Sequence, residues 1–144
     1  MQFSYFVGVD ISKDTLDAAL YPAKDRQKDF LHFNNTKKGL GEMMAWLKTL
    51  GVKRSDLLIC AEYTGVYTNT LIEFADRKGI ALSLNSPLDI KRSIGLVRGK
   101  NDAVDAARIA EFAYRRRENL RLYEKPCDAI MKMQYLLTER RQYV

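Results

Sequence analysis

Two apolar stretches of this 144-residue chain each run into a carboxylate. Residues 5–9 lead into Asp10, and residues 57–61 lead into Glu62. Charged side chains are rarely buried unless they are paired or bind a metal ion. A carboxylate at the tip of a buried strand therefore marks either the point where the strand meets water or part of a site. Further along the chain, a second acidic pair, Asp102 and Asp105, opens a predicted helix.

Together these four carboxylates predict a divalent-metal site. Mg²⁺ and Mn²⁺ prefer oxygen ligands. Three or four carboxylates can hold two ions about 3.5–4 Å apart on either side of a phosphodiester. Aspartate is also common at helix starts, where the helix dipole stabilises negative charge, so Asp102 and Asp105 alone do not define a site. Their combination with Asp10 and Glu62 indicates metal chemistry, with Mg²⁺ as the expected cofactor and Mn²⁺ as a substitute.

The positive charge of the chain is concentrated around the second acidic pair. The net charge is +6, and residues 91–121 hold 9 basic and 4 acidic residues, whereas residues 1–90 hold 11 of each. A basic surface beside carboxylates suits a polyanion held near a metal ion. The candidate nucleic-acid contacts are Ser12, Lys13, Arg98, Lys100, Arg115 and Arg116. The alternatives are a solvated turn at residues 12–13, a flexible glycine loop at 94–100 and a solvated basic helix end at 115–117.

The apolar pattern predicts an α/β protein with five strands. Three consecutive strands, at 4–10, 14–21 and 27–34, are antiparallel because their connections are short. Helices are predicted at 37–50, 66–78, 87–93, 102–117 and 127–144, and two further strands at 56–62 and 80–85. The result is a mixed five-stranded sheet flanked by helices, in which strands one, four and five are parallel. Ligands of such sheets bind beyond the carboxyl ends of the parallel strands, which is where Asp10 and Glu62 fall.

Composition argues against several other kinds of site. His32 is the single histidine, which disfavours a histidine-rich zinc site and a serine–histidine triad. Cys60 falls in a predicted core strand, so we expect a buried, reduced thiol. The sequence has no apolar run near the roughly 20 residues that span a membrane and no signal-peptide pattern at its start. We therefore expect a cytoplasmic protein without a membrane partner.

Three short segments carry a resemblance to a known family. Residues 8–13 (Gly-Val-Asp-Ile-Ser-Lys), 62–67 (Glu-Tyr-Thr-Gly-Val-Tyr) and 100–106 (Lys-Asn-Asp-Ala-Val-Asp-Ala) resemble the three blocks of the DEDD insertion-sequence transposases, relatives of the Piv DNA invertases. The resemblance implies a RuvC-like, ribonuclease H-like domain over residues 1–121, then the start of a truncated coiled-coil helix over 122–144. Tyr63 and Asn101 depart from the usual pattern, but neither departure removes a carboxylate.

The resemblance also implies a function in DNA recombination. The catalytic acidic tetrad of the family would map onto Asp10, Glu62, Asp102 and Asp105 and bind Mg²⁺. Family members continue into a C-terminal domain that supplies a serine nucleophile, which we expect this chain to lack. The implied partners are DNA and, in some members, a guide noncoding RNA. The full-length protein is expected to be a homo-oligomer in the prokaryotic cytoplasm, at the nucleoid.

Other functions remain open on the sequence. A stand-alone junction resolvase or ribonuclease of the same fold would use the same carboxylates, and a non-catalytic nucleic-acid-binding module would need only the basic surface. A sugar-kinase or actin-like ATPase is disfavoured, although residues 7–10 resemble its first phosphate loop. Ser12 stands where that loop has glycine, a second glycine-rich turn is missing, and the chain is too short for two lobes.

Overall fold

The computed structural model describes residues 3–22, 29–86 and 102–123. The predicted helices at 87–93 and 127–144, and the predicted loop at 94–100 with Arg98 and Lys100, lie outside these residues. So does nearly all of the segment 122–144 that we expected to begin a coiled coil.

One mixed sheet organises the described residues, as predicted. Its strands lie in the order β3-β2-β1-β4-β5. Both β1 and β3 are antiparallel to β2, whereas β4 is parallel to β1 and to β5. The strand bounds are Tyr5–Ile11 (β1), Thr15–Tyr21 (β2), Phe30–Asn34 (β3), Leu57–Glu62 (β4) and Ala81–Asn85 (β5).

Three α-helices accompany this sheet in the described part of the chain: Lys37–Thr49 (α1), Asn69–Lys78 (α2) and Asp102–Arg115 (α3). Short 3₁₀ turns cover Arg54–Asp56 and Gly65–Thr68. The start of α1 follows its capping residue, because Thr36 Oγ1 accepts the amide of Gly39 at 3.0 Å. The end of α2 follows from Gly79, whose φ of +67° suits glycine.

The predicted helix at 66–78 begins differently from our expectation. Its first turn is the 3₁₀ segment, and α2 starts only at Asn69. The side chain of Thr64 does not cap the segment; instead the Thr64 amide donates to Thr68 Oγ1 at 3.0 Å. This side-chain acceptor closes a tighter turn before the α-helix begins.

The two faces of the sheet are covered by different helices. Alternate residues of a strand point to opposite faces. Val7 and Val9 pack in the core under α1 and α2, whereas Phe6 packs with residues of α3. Asp10 therefore lies on the face of the sheet that α3 covers.

Close contact with Gly8 sets the direction of α3. A Cβ atom at Gly8 would collide with the carbonyl oxygen of Ala106 and the amide nitrogen of Ala110, so the helix backbone rests directly on β1. Near the other end of the helix, the ring of Tyr114 meets that of Phe6, with centroids 5.7 Å apart. The helix therefore runs antiparallel to β1, and its first turn lies at the carboxyl end of that strand.

Candidate active site

Asp10 and Glu62 lie at the carboxyl ends of neighbouring parallel strands, Asp10 as the second-last residue of β1 and Glu62 as the last residue of β4. Val9 pairs with Ala61, so the next residue of each strand, Asp10 and Glu62, occupies an equivalent position. Both are half-buried. Strand alternation places both on the face covered by α3, since Cys60, two residues before Glu62, packs there. Adjacent strands lie about 4.8 Å apart, which makes these carboxylates neighbours.

The start of α3 lies over the same edge. Asp102, its first residue, precedes Ala106 by four residues, or about 6 Å of helix. Asp10 follows Gly8 by two residues, or roughly 6.6 Å of strand. Because Ala106 rests on Gly8, the first turn of α3 reaches the level of Asp10. The backbone of the α3 start therefore lies at the sheet edge that holds Asp10.

The Asp105 side chain is described, and it has a cationic neighbour. Arg108 Nη1 lies 3.7 Å from Asp105 Oδ1, and the two side chains are 22% and 38% exposed. A half-buried arginine beside a carboxylate can balance its charge and can also bind a phosphate oxygen. Arg108 is not among the site residues predicted from the sequence; its three-residue spacing from Asp105 was the available signal.

The described side chains do not form a closed metal site. Among the His, Cys, Asp and Glu side chains that the structure describes, which include those of Asp10, Glu62 and Asp105, no three lie close enough together to hold an ion. The side chain of Asp102 lies outside the described residues, although its backbone belongs to α3. The chemistry of the donor set, carboxylate oxygens at one sheet edge, nevertheless fits a hard cation such as Mg²⁺.

The structure describes four of the predicted nucleic-acid contacts, and they lie at two different ends of the molecule. Ser12 and Lys13 are exposed in the turn after β1, at the edge where Asp10 lies, and Ser12 Oγ donates to the carbonyl of Thr15 at 2.8 Å. Arg115 and Arg116 lie at the far end of α3, roughly 20 Å along the helix from its start. There Arg115 pairs with Glu111 at 2.6 Å. The structure therefore does not bring these two arginines to the carboxylates.

Comparison with known families decides the affiliation. The model of the DEDD transposases of the IS110 type, described as Transposase, matches residues 7–144. This chain belongs to that family. RuvC of Thermus thermophilus has a similar fold in two solved structures, one in complex with a Holliday junction substrate, with TM-scores of 0.53 and 0.50. Each is 12% identical in sequence and covers 83% of this chain and 99% of RuvC. The curated proteins include no match.

In this IS110-type domain, polar residues continue the row of Asp10 and Glu62 across the whole sheet. Asp17 pairs with Asp10 and His32 pairs with Asp17, while Asn85 pairs with Glu62 on the other side. Sequence analysis did not include Asp17 or Asn85 among the site residues, and it considered His32 only to argue against other chemistries. The one available signal was Asp17, a charged residue that interrupts an otherwise apolar strand.

A bridge from Asn35 holds the loop that follows Glu62. Its Nδ2 donates to the carbonyl of Ser12 at 3.0 Å and to that of Tyr67 at 2.9 Å. One side chain thus ties the β1–β2 turn to the 3₁₀ turn. Three large apolar side chains of this loop are exposed, those of Tyr63, Val66 and Tyr67, so it presents an aromatic surface beside Glu62.

Cys60 precedes Glu62 by two residues on β4. It is confirmed as a buried free thiol. Burial raises its pKa from the ordinary 9.0 to about 12, and a hydrogen bond from Asn85 Nδ2 to Sγ, 3.3 Å long, offsets part of the rise. Asn85 also donates to Ser83 Oγ at 3.1 Å. The Cys60 thiol beneath the acidic edge is therefore buried and uncharged at ordinary pH.

This raised pKa predicts a loss of stability in alkali. Below pH 9 the thiol is protonated in both states, so its contribution to stability is complete. Between pH 9.0 and about 12 the unfolded chain loses the proton and the folded chain keeps it. The free energy of unfolding should therefore fall by up to about 1.4 kcal/mol per pH unit. Urea unfolding of the parent and of Cys60→Ala across this range measures the effect; equal slopes would contradict the burial of the thiol.

Proposed function

We propose that this domain is the metal-dependent catalytic domain of a DNA transposase, in which Asp10, Glu62, Asp102 and Asp105 bind Mg²⁺ and cleave DNA strands. One observation carries the proposal. Asp10 and Glu62 lie at the carboxyl ends of adjacent parallel strands, each one residue beyond the pair Val9 and Ala61, and the contact of α3 with Gly8 supports an acidic first turn at the same edge. The family match to transposases supports DNA as the substrate.

Each neighbouring group has a role in this proposal. Bound divalent ions would activate the attacking oxygen and stabilise the leaving oxygen of the phosphodiester. Arg108, near Asp105, is positioned to bind a non-bridging phosphate oxygen. The Asn35 bridge fixes the loop after Glu62, and the exposed tyrosines of that loop offer faces on which bases can stack. The buried neutral thiol keeps the floor of the site apolar.

Several finer features of the proposal come from the family resemblance. We propose that strand exchange is completed by a serine-bearing C-terminal domain, with the transposase acting as a homo-oligomer at the nucleoid. A structured guide RNA would then select the DNA target.

In the described parts of the chain, the helices are too short or too polar to cross a bilayer.

Metal binding provides the first test. Mg²⁺ or Mn²⁺ at a hundredfold excess over its dissociation constant should raise the free energy of unfolding by about 2.7 kcal/mol. The double variant Asp102→Asn/Asp105→Asn should lose this response, because it removes two anionic ligands. Thermal unfolding followed by circular dichroism, with and without metal, measures both.

The matched control for this test is Glu42→Gln. Glu42 is exposed on α1, on the opposite face of the sheet, so its loss changes the net charge without touching the proposed site. It should keep the full metal response. If the double variant still responds like the parent, the assignment of the acidic helix start as a metal ligand is wrong.

A further inference from the structure

An aspartate–histidine pair lies beside the proposed tetrad. Asp17 is 4% exposed, and its Oδ1 lies 2.6 Å from Nδ1 of His32, whose side chain is 55% exposed. An ionised carboxylate can only accept hydrogen bonds, so the imidazole donates from Nδ1. Asp17 thereby fixes the orientation of the ring, and because the imidazole is exposed, its second nitrogen, Nε2, is the atom that can contact a ligand.

The pair lies in line with the proposed metal ligands. His32 pairs with Asp17 and Asp17 pairs with Asp10, so the three residues occupy one row across β3, β2 and β1. All three lie on the face covered by α3. With strands about 4.8 Å apart, the backbone of His32 is about 10 Å from that of Asp10. This distance is too long for both to bind one phosphate and suits a neighbouring one.

The charges along this row favour a histidine at position 32 if a nucleic-acid strand passes over it. A nucleic-acid strand that leaves Asp10 along the row towards β3 passes Asp17, whose carboxylate would repel the phosphates. The bond to His32 masks that carboxylate. A protonated His32 ring also presents Nε2–H to a phosphate oxygen as a charge-assisted hydrogen bond. Within this row, His32 is the one residue that can carry positive charge.

We propose that His32 binds a nucleic-acid phosphate adjacent to the scissile one and that Asp17 is its positioning residue. This inference rests on the proposed function, since it assigns a further contact to the same substrate. It extends the substrate contact from the carboxylates to the edge strand β3, away from the basic segment that charge counting had singled out.

Because His32 is the single histidine, nitrogen NMR of the ring tests the contact directly. The chain is labelled with ¹⁵N-histidine and titrated with a four-way DNA junction in buffer without divalent metal, so that cleavage does not occur. DNA should shift the Nε2 resonance and leave Nδ1 bonded to Asp17. A ring spectrum unchanged at saturating DNA would overturn the proposal. So would a shift of Nε2 caused by diamagnetic Mg²⁺ alone and as large as that caused by DNA, which would make His32 a metal ligand.

Affinity measurements separate contact from folding. His32→Ala should bind the junction about tenfold more weakly, and its dependence on salt should fall by about one ion. Asp17→Ala should weaken binding, although it removes a negative charge, because Nδ1 loses its acceptor and the ring its orientation. Asp17→Asn, whose Oδ1 can still accept from Nδ1, should keep more of the affinity. The control is Lys53→Ala, which removes an exposed cation before the amino end of β4, away from the carboxyl ends that hold Asp10 and Glu62, and should bind as the parent does.

The outcomes distinguish this inference from the proposed function. Loss of affinity in Lys53→Ala equal to that in His32→Ala would show a general charge effect and overturn the phosphate contact. Normal junction binding by His32→Ala, together with loss of cleavage in tetrad variants, would reject the role of His32 and retain the proposed function. A parent chain that binds no DNA would reject both.

Discussion

Replacing Asp10 by asparagine is expected to reduce DNA strand cleavage by the transposase on the order of a hundred- to a thousandfold, the usual effect of removing one electrostatic group from a catalytic site. Asparagine keeps the size of the side chain but removes an anionic metal ligand. Its in-register neighbour Glu62 would remain in place, so the fold should survive. The unfolding free energy without metal should change by less than about 1 kcal/mol.

The matched control for this substitution lies four residues away. Asp14 is exposed in the β1–β2 turn, outside the row of polar residues, and Asp14→Asn makes the same chemical change. Cleavage of a labelled DNA substrate in Mg²⁺, followed over time for both variants and the parent, measures the effect. Cleavage by Asp10→Asn at the rate of the parent would reject a catalytic role for the carboxyl edge.

Much of the sheet could be predicted from local patterns. The apolar runs before Asp10 and Glu62 end where β1 and β4 end or nearly so, because a strand stops being buried where its charged residue begins. The short connections between the first three strands fixed their antiparallel order. From these two facts alone, Asp10 and Glu62 could be placed at one edge of a mixed sheet.

The pairing between distant residues could not be predicted in the same way. Asp17 and His32 are 15 residues apart, and their contact depends on the offset between β2 and β3. A shift of one residue would have moved His32 to the other face. No local pattern sets this offset, because it follows from packing on both faces of the finished sheet. The position of Asn85 beside Glu62 could not be predicted for the same reason, because it also depends on the pairing of distant strands.

Charge counting gave an incomplete account of the candidate contacts. It pointed to the basic residues after position 90, yet Arg115 lies at the end of α3 that is remote from the carboxylates. The two ends of the 14-residue helix α3 lie about 20 Å apart. Basic residues within the segment 91–121 therefore need not all reach one ligand. The direction of α3 decides which of them can, and that direction depends on Gly8.

Substituting Gly8 should therefore have the largest effect on the fold. Gly8→Ala places a Cβ atom against the carbonyl of Ala106 and the amide of Ala110. Both obstacles are backbone of α3, so no side-chain rotation can relieve the collision and the helix must move away from β1. We expect a loss of about 3 kcal/mol in the free energy of unfolding, at the upper end for overpacking, with a larger loss for Gly8→Val. Urea unfolding measures both.

Gly41→Ala is the matched control for the same change of residue. Gly41 lies in α1, and an added Cβ there meets nothing within 4 Å, so alanine should stabilise the helix by roughly 0.5–1 kcal/mol. Opposite signs for two glycine-to-alanine substitutions would show that the effect at position 8 comes from contact with α3. Equal stability of Gly8→Ala and the parent would contradict the docking of α3 on β1.

The same substitution also tests how the site is assembled. In the proposed site, Asp102 and Asp105 lie near Asp10 because α3 rests on Gly8, so a displaced helix should separate the two acidic pairs. At a temperature where Gly8→Ala is still folded, Mg²⁺ should therefore stabilise it much less than it stabilises the parent, although all four carboxylates are present. A full metal response in this variant would mean that Asp10 and Glu62 bind the ion without the helix. Loss of that response would show that the metal site requires Gly8. A search of the sequence for metal-ligating side chains cannot identify this requirement, because glycine has none.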